Sequence, residues 1–346
     1  MQAAWYPADV IADGQKTLYT PLTKANQAWR ICALLPHGKD QYWWGVAFGL
    51  SQEAERQGVT LGIYDAGGYD KIEQQKQQLH DCYALKAQAY IIAANTADGL
   101  IADIEQLSAA GIPVIDLVNG IATDKLTSRS LVSFEEMSVA ATEYIAAQQR
   151  EAINQDSPKL KVAWFPGPKG ASWVMAAEQG FRQAAGKQAF EVIEGGYGTT
   201  ELFVQADLVR KVLAKQSVDY VIANAVAATF AARFLDGRRN QTGKVIAFYS
   251  NAQTIELVQK KQLLATVSDS PVLQAQNCHR SRGARTRRCA LSPQSEPCYQ
   301  GHLPRQHPPN RFRTNISAGK SMDDPSGSAQ RKRYSLNQIV RTQPNK

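Results

Sequence analysis

Short apolar runs and longer segments with helical periodicity alternate along the chain from residue 30 to about residue 268. This order is typical of parallel strands joined by helices that cover the faces of a sheet. The predicted strands are 31–35, 59–64, 90–94, 113–117, 131–134, 162–165, 191–194, 220–223, 245–249 and 265–267. The predicted helices are 42–57, 72–84, 98–110, 137–151, 175–185, 200–215, 226–235 and 252–260.

A polar break at residues 153–158 separates two similar halves of this pattern. We therefore predict an α/β protein of two doubly wound parallel-sheet lobes, with hinge crossings near Ser130 and Asp269. Ligands of such sheets bind outside the carboxyl ends of the strands, so the expected site is a cleft between the lobes. The predicted divisions are an N-terminal strap over 1–29, lobes over 30–130 and 131–268, a return to the first lobe over 269–276, and a tail over 277–346.

Motifs of the common enzyme classes are missing from the sequence. It contains no G-x-x-x-x-G-K-[ST] phosphate loop, no G-x-S-x-G elbow and no H-E-x-x-H pair. Of the five histidines, only His37 and His80 precede the tail, which leaves little from which to build a metal site. We expect a protein that is not an enzyme, with no catalytic residue, no metal and no cofactor.

Large aromatic residues follow the predicted strands instead. Ring faces attract cations and tolerate methyl groups, so such loops favour a small ligand that carries a methylated cation. The alternative for any single ring is packing against the next helix. Two of the rings, Trp43 and Trp44, are adjacent on a predicted helix and must diverge, so one of them is expected to pack inward. The candidate rings are Tyr42, Trp43, Trp44, Tyr69, Phe134, Trp173 and Tyr249.

Two cysteines bear on the cellular compartment. Cys32 begins the first strand and Cys82 ends the second helix, and both positions fall at the amino end of the sheet. They form either a disulfide or two buried thiols. A disulfide would close a loop of about fifty residues and require an oxidising compartment. No basic segment followed by an apolar run opens the chain, so we expect a cytoplasmic protein or a mature exported one that begins with a new Met.

The positive charge is concentrated in the tail. The chain has 39 Lys and Arg against 31 Asp and Glu, of which residues 277–346 hold 14 and 3, so the body carries 25 against 28. The body therefore gives no reason to expect a nucleic-acid partner. The tail has only eight Leu, Ile, Val, Met or Phe residues, too few to build core elements. It is a disordered basic tail, a zinc cluster of unusual spacing or, as we prefer, the product of a shifted reading frame.

Several stretches, in this order and spacing, resemble the periplasmic type I binding proteins, in particular the members that bind trimethylamine N-oxide. They include Thr20-Pro21-Leu22, Cys32-Ala33-Leu34, Lys39-Asp40, Ala66-Gly67-Gly68-Tyr69, Pro113-Val114-Ile115-Asp116-Leu117-Val118-Asn119 and Phe248-Tyr249.

This resemblance implies a periplasmic, non-enzymatic, two-lobed protein whose closure on a small molecule is sensed by a membrane histidine kinase. It places an aromatic cage on Tyr42, Trp43, Tyr69 and Tyr249, with Asp40 adding polarity. The sequence departs from the family pattern at Phe134, where Trp is expected, and Phe is the weaker ring for a cation. That departure leaves the identity of the ligand open.

Two alternatives remain at this stage. The same fold binds sugars or furanosyl signals for transporters or other kinases, and this alternative needs polar side chains in the cleft. A cytoplasmic regulator with effector-binding lobes would carry a helix-turn-helix before residue 30, and the sequence there contains no such pair of helices. The side chains that keep the sugar alternative open are Asp40, Asn95, Asn119, Asn224 and Asn251.

Overall fold

The computed structural model describes residues 8–12, 15–19, 23–149, 158–188, 190–237, 243–272, 274–276 and 339–341. Its strands are β1 (Ala8–Ala12), β2 (Gln15–Tyr19), β3 (Arg30–Leu35), β4 (Thr60–Asp65), β5 (Ala89–Ile92), β6 (Val114–Leu117), β7 (Ser128–Ser130), β8 (Leu160–Phe165), β9 (Phe190–Glu194), β10 (Tyr220–Ala223), β11 (Lys244–Ala247), β12 (Ala265–Val267) and β13 (Ile339–Arg341). Its helices are α1 (Gln41–Gln57), α2 (Ile72–Ala84), α3 (Ile101–Ala109), α4 (Phe134–Gln149), α5 (Ser172–Ala185), α6 (Leu202–Leu213), α7 (Ala225–Asp236) and α8 (Ala252–Gln259).

These elements belong to two compact units, which confirms the predicted α/β class with two helix-flanked parallel sheets. The first unit contains the described residues up to Ser133, the segment Pro168–Met175 and the described residues 270–276. The second unit contains the described residues within Phe134–Gly167 and Ala176–Asp269, together with β13.

The first unit has a five-stranded sheet in the order β4-β3-β5-β6-β7, and all neighbouring strands are parallel. Its apolar core combines buried residues of β3, β5 and β6 with Leu79, Ile104 and Leu107 of the covering helices. The strand predicted at residues 131–134 is wrong in position, because β7 ends at Ser130 and Phe134 already begins α4. As an edge strand with the sequence Ser-Arg-Ser, β7 lacks the apolar pattern that identifies a central strand.

The second unit has a six-stranded sheet in the order β13-β12-β11-β10-β8-β9. Its strands are parallel except β13, which runs antiparallel to β12 with Thr266 opposite Val340. Three residues of the tail therefore pair with the sheet, although the low apolar content predicted no core element there. The rest of the tail, including its proposed frame-shifted or disordered character, lies outside the described residues.

An antiparallel hairpin precedes the first sheet, within the segment predicted as a strap. Ala8 pairs with Tyr19 and Ala12 with Gln15. The two residues between these strands are Asp13 and Gly14, a pair typical of two-residue hairpin loops. This dipeptide was the sequence feature that could have predicted the hairpin.

A disulfide joins Cys32 on β3 to Cys82 on α2, with 6.2 Å between the Cα atoms. Both cysteines are buried in the apolar core of the first unit. Of the two alternatives that the sequence left open, the structure has the bonded one.

Residues after Asp269 return to the first unit and pack against α1. Residues 271, 272 and 274–276 are helical, and the Ser130 hydroxyl donates to the Gln274 carbonyl oxygen at 3.0 Å. The close approach depends on a glycine, because a Cβ built on Gly49 would lie 2.4 Å from the carbonyl oxygen of Val272. One turn earlier on the same helix, a Cβ on Gly45 would lie 3.6 Å from Pro271, an ordinary contact distance.

Alanine substitutions at Gly45 and Gly49 are expected to have different effects on the free energy of unfolding. Each substitution gains up to about 1 kcal/mol of helix propensity. Gly45→Ala should therefore be neutral or stabilising, whereas Gly49→Ala should lose about 1–3 kcal/mol from overpacking. Denaturant unfolding of the two variants measures the difference. Equal effects at both positions would contradict the packing of residues 271–276 on α1.

Candidate ligand-binding site

The loops at the carboxyl ends of β3 and β4 are tied together by one carboxylate. Asp65, the last residue of β4, accepts hydrogen bonds from the amides of Gly38 and Gly67, each at 2.6 Å. The Gly68 amide also donates to the Pro36 carbonyl oxygen at 2.9 Å. These bonds fix the positions of both loops at one end of the first sheet, where a parallel sheet binds its ligands.

Asp40 is the N-cap residue of α1 and orients the first turn of this helix. The Asp40 side chain accepts from the Tyr42 amide at 3.0 Å, which is the usual arrangement of an N-cap. The next two residues diverge, as helix geometry requires. Trp43 is 3% exposed, while Trp44 is 60% exposed and donates its indole N–H to the Gly38 carbonyl oxygen at 2.6 Å. Of these two adjacent tryptophans, only Trp43 packs inward, as the sequence predicted for one of the pair.

Trp43 belongs to a group of buried rings in the first unit, which we call the ring cluster. The His37 ring centre lies 5.3 Å from that of Tyr69 and 6.4 Å from that of Trp43, both in edge-on geometry. Tyr69 in turn lies 6.3 Å from Trp173. The members of the ring cluster are His37, Tyr42, Trp43, Tyr69 and Trp173.

Trp173 reaches the ring cluster although it lies more than one hundred residues beyond Tyr69 in the sequence. It is part of the segment Pro168–Met175, which belongs to the first unit. The preceding residue, Ser172, donates its hydroxyl to the carbonyl oxygens of Asn119 and Gly120, the latter at 2.9 Å. This anchor at the loop after β6 holds the start of α5 beside Tyr69.

The Tyr69 hydroxyl remains protonated at neutral pH. Burial raises its pKa well above the ordinary value, and the nearby Asp40 carboxylate adds to the increase. The neighbouring polar side chains of Asn119, Trp173 and Trp43 offset part of this increase. The ring cluster thus combines a protonated phenol with a buried carboxylate, an arrangement that suits a cation with a neighbouring polar group.

His37 adds a neutral ring to this group. Its Nδ1 atom accepts a hydrogen bond from the Lys39 amide at 3.2 Å, which requires an unprotonated Nδ1 and therefore an uncharged imidazole. From the sequence, His37 was a candidate only for metal binding or catalysis, and its place among the rings was missed. Its place directly after β3, in Pro36-His37-Gly38, was the available indication.

Two asparagine amides connect the loops after successive strands. Asn95 donates from Nδ2 to the Gly68 carbonyl oxygen, and Asn119 donates from Nδ2 to the Ala94 carbonyl oxygen, both at 2.8 Å. Asn95 is 2% exposed and Asn119 is 4% exposed. Within the part of the chain that the structure describes, the Oδ1 atom of each is buried and accepts no hydrogen bond. The site therefore presents two buried acceptors.

The loop that carries Asn119 is held by a buried ion pair. Asp116 on β6 accepts from the Ile121 amide at 2.8 Å and from Arg129 at 3.1 Å. Burial raises the pKa of Asp116 to about 6, against the opposing effect of Arg129. Val118 has a φ of 66°, which is unusual for a β-branched residue. Strained backbone of this kind is often found next to functional groups, and the residue that follows Val118 is the candidate Asn119.

Two of the predicted rings belong to the second unit. Phe134, the first residue of α4, lies 6.2 Å from Tyr249, which follows β11. Both are buried. The expectation that they share one ligand with the ring cluster stays a prediction, and so do the hinge roles of Ser130 and Asp269.

The other candidate asparagines already serve as helix caps. Asn224 accepts from the amides of Val226 and Ala227 at the start of α7, at 3.1 and 3.0 Å. Asn251 accepts from the Thr254 amide at 2.9 Å in a capping box at the start of α8. Among the polar candidates for a sugar, this leaves Asp40, Asn95 and Asn119 in the first unit.

Two α/β units with parallel sheets are typical of binding proteins for small ligands, and the comparison with protein families agrees with this class. The family described as "Periplasmic binding protein domain" matches residues 31–281, and the chain belongs to it. In the described residues, no helix has the length and apolar character needed to cross a membrane, and no group of three or more His, Cys, Asp or Glu side chains is arranged to hold a metal ion.

Particular relatives narrow the resemblance. The periplasmic protein TorT of Escherichia coli strain K12 is 29% identical over 259 residues, which cover 74% of this chain and 72% of TorT. A solved ABC transporter solute binding protein from Bradyrhizobium sp. BTAi1 with bound bis-tris is 35% identical, with a TM-score of 0.69 over 82% of this chain and 87% of that chain. A complex of TorT with the TorS sensor domain in the presence of trimethylamine N-oxide (TMAO) is 26% identical, with a TM-score of 0.65 over 74% of this chain and 85% of that chain. The predicted resemblance to type I periplasmic binding proteins of the TorT kind is confirmed.

Proposed function

We propose that this protein is a periplasmic, non-enzymatic binding protein for TMAO or a related methylated amine, and that it signals to a membrane histidine kinase. The observation that carries the proposal is the ring cluster with the buried Asp40 carboxylate at its edge. Ring faces and a carboxylate both stabilise a cation, and a desolvated cation–ring contact contributes about 2 kcal/mol. The protonated Tyr69 hydroxyl is suited to donate to an oxygen next to the cationic nitrogen.

The relatives support an amine as the ligand. The Bradyrhizobium protein was solved with bis-tris, a tertiary amine that carries hydroxyl groups. The TorT complex was solved in the presence of TMAO, an oxidised tertiary amine. Both compounds carry a nitrogen with three carbon substituents, although bis-tris is much the larger molecule.

The disulfide supports a periplasmic location for the protein. A bond between Cys32 and Cys82 persists in an oxidising compartment and is rare in the cytoplasm. The family of the chain is also one of periplasmic proteins.

A sugar is the second candidate ligand, and the two asparagines favour it. The unpaired Oδ1 atoms of Asn95 and Asn119 are suited to accept from sugar hydroxyls. The five rings of the cluster, which include the neutral histidine, provide little further hydrogen bonding for a polyol. For this reason we place the amine first.

Calorimetric titration of the intact chain with TMAO and then with ribose tests the proposal. We expect saturable heat with TMAO and none with ribose. Heat with ribose and silence with TMAO would reject the amine and favour the sugar. The same protein, mixed with the TorS sensor domain, is expected to co-elute on gel filtration, and separate elution of the two folded proteins at all TMAO concentrations would count against a TorS-like partner.

A further inference from the structure

We infer that the preferred ligand is an alkylated ammonium ion that itself carries a hydrogen-bond donor, either a hydroxyl group or an N–H, and that Asn95 and Asn119 receive this donor. The inference rests on the proposed function and narrows its ligand class. It separates donor-bearing amines from TMAO, whose only polar atom other than nitrogen is an acceptor.

Hydrogen bonds fix the orientation of the Asn95 and Asn119 side-chain amides. An amide whose nitrogen and oxygen are exchanged is distinguished by its hydrogen bonds. Both Nδ2 atoms lie 2.8 Å from backbone carbonyl oxygens, of Gly68 and Ala94 respectively, and an exchanged amide would bring two acceptors together there. The Oδ1 atoms are therefore the groups that remain available at this end of the sheet.

The two Oδ1 atoms lower the stability of the folded protein as long as they have no hydrogen-bond donor. A buried acceptor without a partner costs about 1–3 kcal/mol, and most buried polar side-chain atoms in folded proteins are paired. Asn251 and Asn224, at the helix starts of the second unit, follow that rule with their Oδ1 atoms. Asn95 and Asn119 instead leave Oδ1 without a hydrogen bond in the described structure. Both lie close to Tyr69, because Asn95 donates to the preceding residue, Gly68, and the Asn119 side chain neighbours the Tyr69 hydroxyl.

Among the described residues, no side-chain or backbone donor reaches the Oδ1 atom of Asn95 or of Asn119. TMAO and tetramethylammonium have no O–H or N–H to offer. Choline offers an O–H beside a fully methylated nitrogen, and protonated trimethylamine offers an N–H on the nitrogen. Each of these two cations fits both the rings and the acceptors.

Calorimetry with these four compounds on the full chain tests the inference. Each of the two donor-bearing cations offers one donor hydrogen, and one hydrogen bond to a buried acceptor contributes up to about 1.4 kcal/mol, which corresponds to roughly a tenfold difference in affinity. We expect choline or trimethylammonium to bind about tenfold more tightly than tetramethylammonium and TMAO, and the stronger of the two identifies O–H or N–H as the donor. Equal affinities, or tightest binding of TMAO, would overturn the inference but leave the amine site standing. Heat with none of the four would reject the proposed function instead.

Variants of Asn95 test whether this residue causes the preference for ligands that carry a hydrogen-bond donor. Asn95→Ala should reduce the tenfold preference to about twofold, with little effect on tetramethylammonium. Asn119→Ala repeats the comparison at the second amide. The control is Thr229→Val, which removes a buried hydrogen bond to Ala225 in the second unit and should leave all four affinities unchanged. A preference that survives in both alanine variants would overturn the role of the asparagines.

Discussion

Trp43→Ala is expected to weaken TMAO binding at least thirtyfold. Trp43 is buried in the ring cluster, and a contact between this ring and a desolvated cation would contribute about 2 kcal/mol, which corresponds to roughly thirtyfold in affinity. Trp43→Phe keeps a ring with a weaker cation interaction and should lose less. Calorimetric titration with TMAO measures both losses, and far-ultraviolet circular dichroism reports whether each variant remains folded.

The neighbouring tryptophan provides a matched control for this prediction. Trp44 is adjacent in sequence and on the same helix, but it is 60% exposed and its indole bonds to Gly38. Trp44→Ala should therefore bind TMAO within about twofold of the unaltered protein. Equal losses at both positions, or a folded Trp43→Ala variant with full affinity, would contradict the assignment of Trp43 to the site.

Reduction of the disulfide is expected to lower the stability of the first unit by about 4 kcal/mol. Cys32 and Cys82 are 50 residues apart, and in the chain-entropy model a closed loop of that length stabilises the folded state by about this amount. The free energy of unfolding in guanidinium, with and without dithiothreitol, measures the effect.

Three further cysteines in the sequence require a control for this measurement. They are Cys278, Cys289 and Cys298. The double variant Cys32→Ala/Cys82→Ala should be at least as unstable as the reduced protein and should no longer respond to dithiothreitol. If this variant still loses stability on reduction, or if the unaltered protein loses none, the stabilising bond is not the one between Cys32 and Cys82.

The central strands could be predicted from the sequence because they are buried on both faces. The observed bounds of β10 and β12 equal the predicted ones, and the bounds of β3, β5 and β6 differ from the predicted ones by at most two residues. Among the edge strands, β4 and β9 lie within one residue of their predicted bounds, but β7 does not. β7 carries two serines and an arginine, so its strand character depends on pairing with β6 and not on its own pattern.

The site could be predicted only in part, since the sequence identifies which residues follow the strands but not which way they point. It placed Trp43 and Tyr69 after the first two strands, and both are in the ring cluster. It could not separate Trp43 from Trp44 beyond the statement that they diverge. It also treated Asn95, Asn119, Asn224 and Asn251 alike, because capping and ligand binding use the same side chain and differ only in the local backbone.

A crystal structure of the protein with TMAO would test the central claim most directly. We expect the cationic nitrogen to lie within about 6 Å of the ring centres of Trp43 and Tyr69, with the Asp40 carboxylate nearby. TMAO bound with no ring of the cluster facing its methyl groups, or bound only at a surface away from the carboxyl ends of the first sheet, would contradict it.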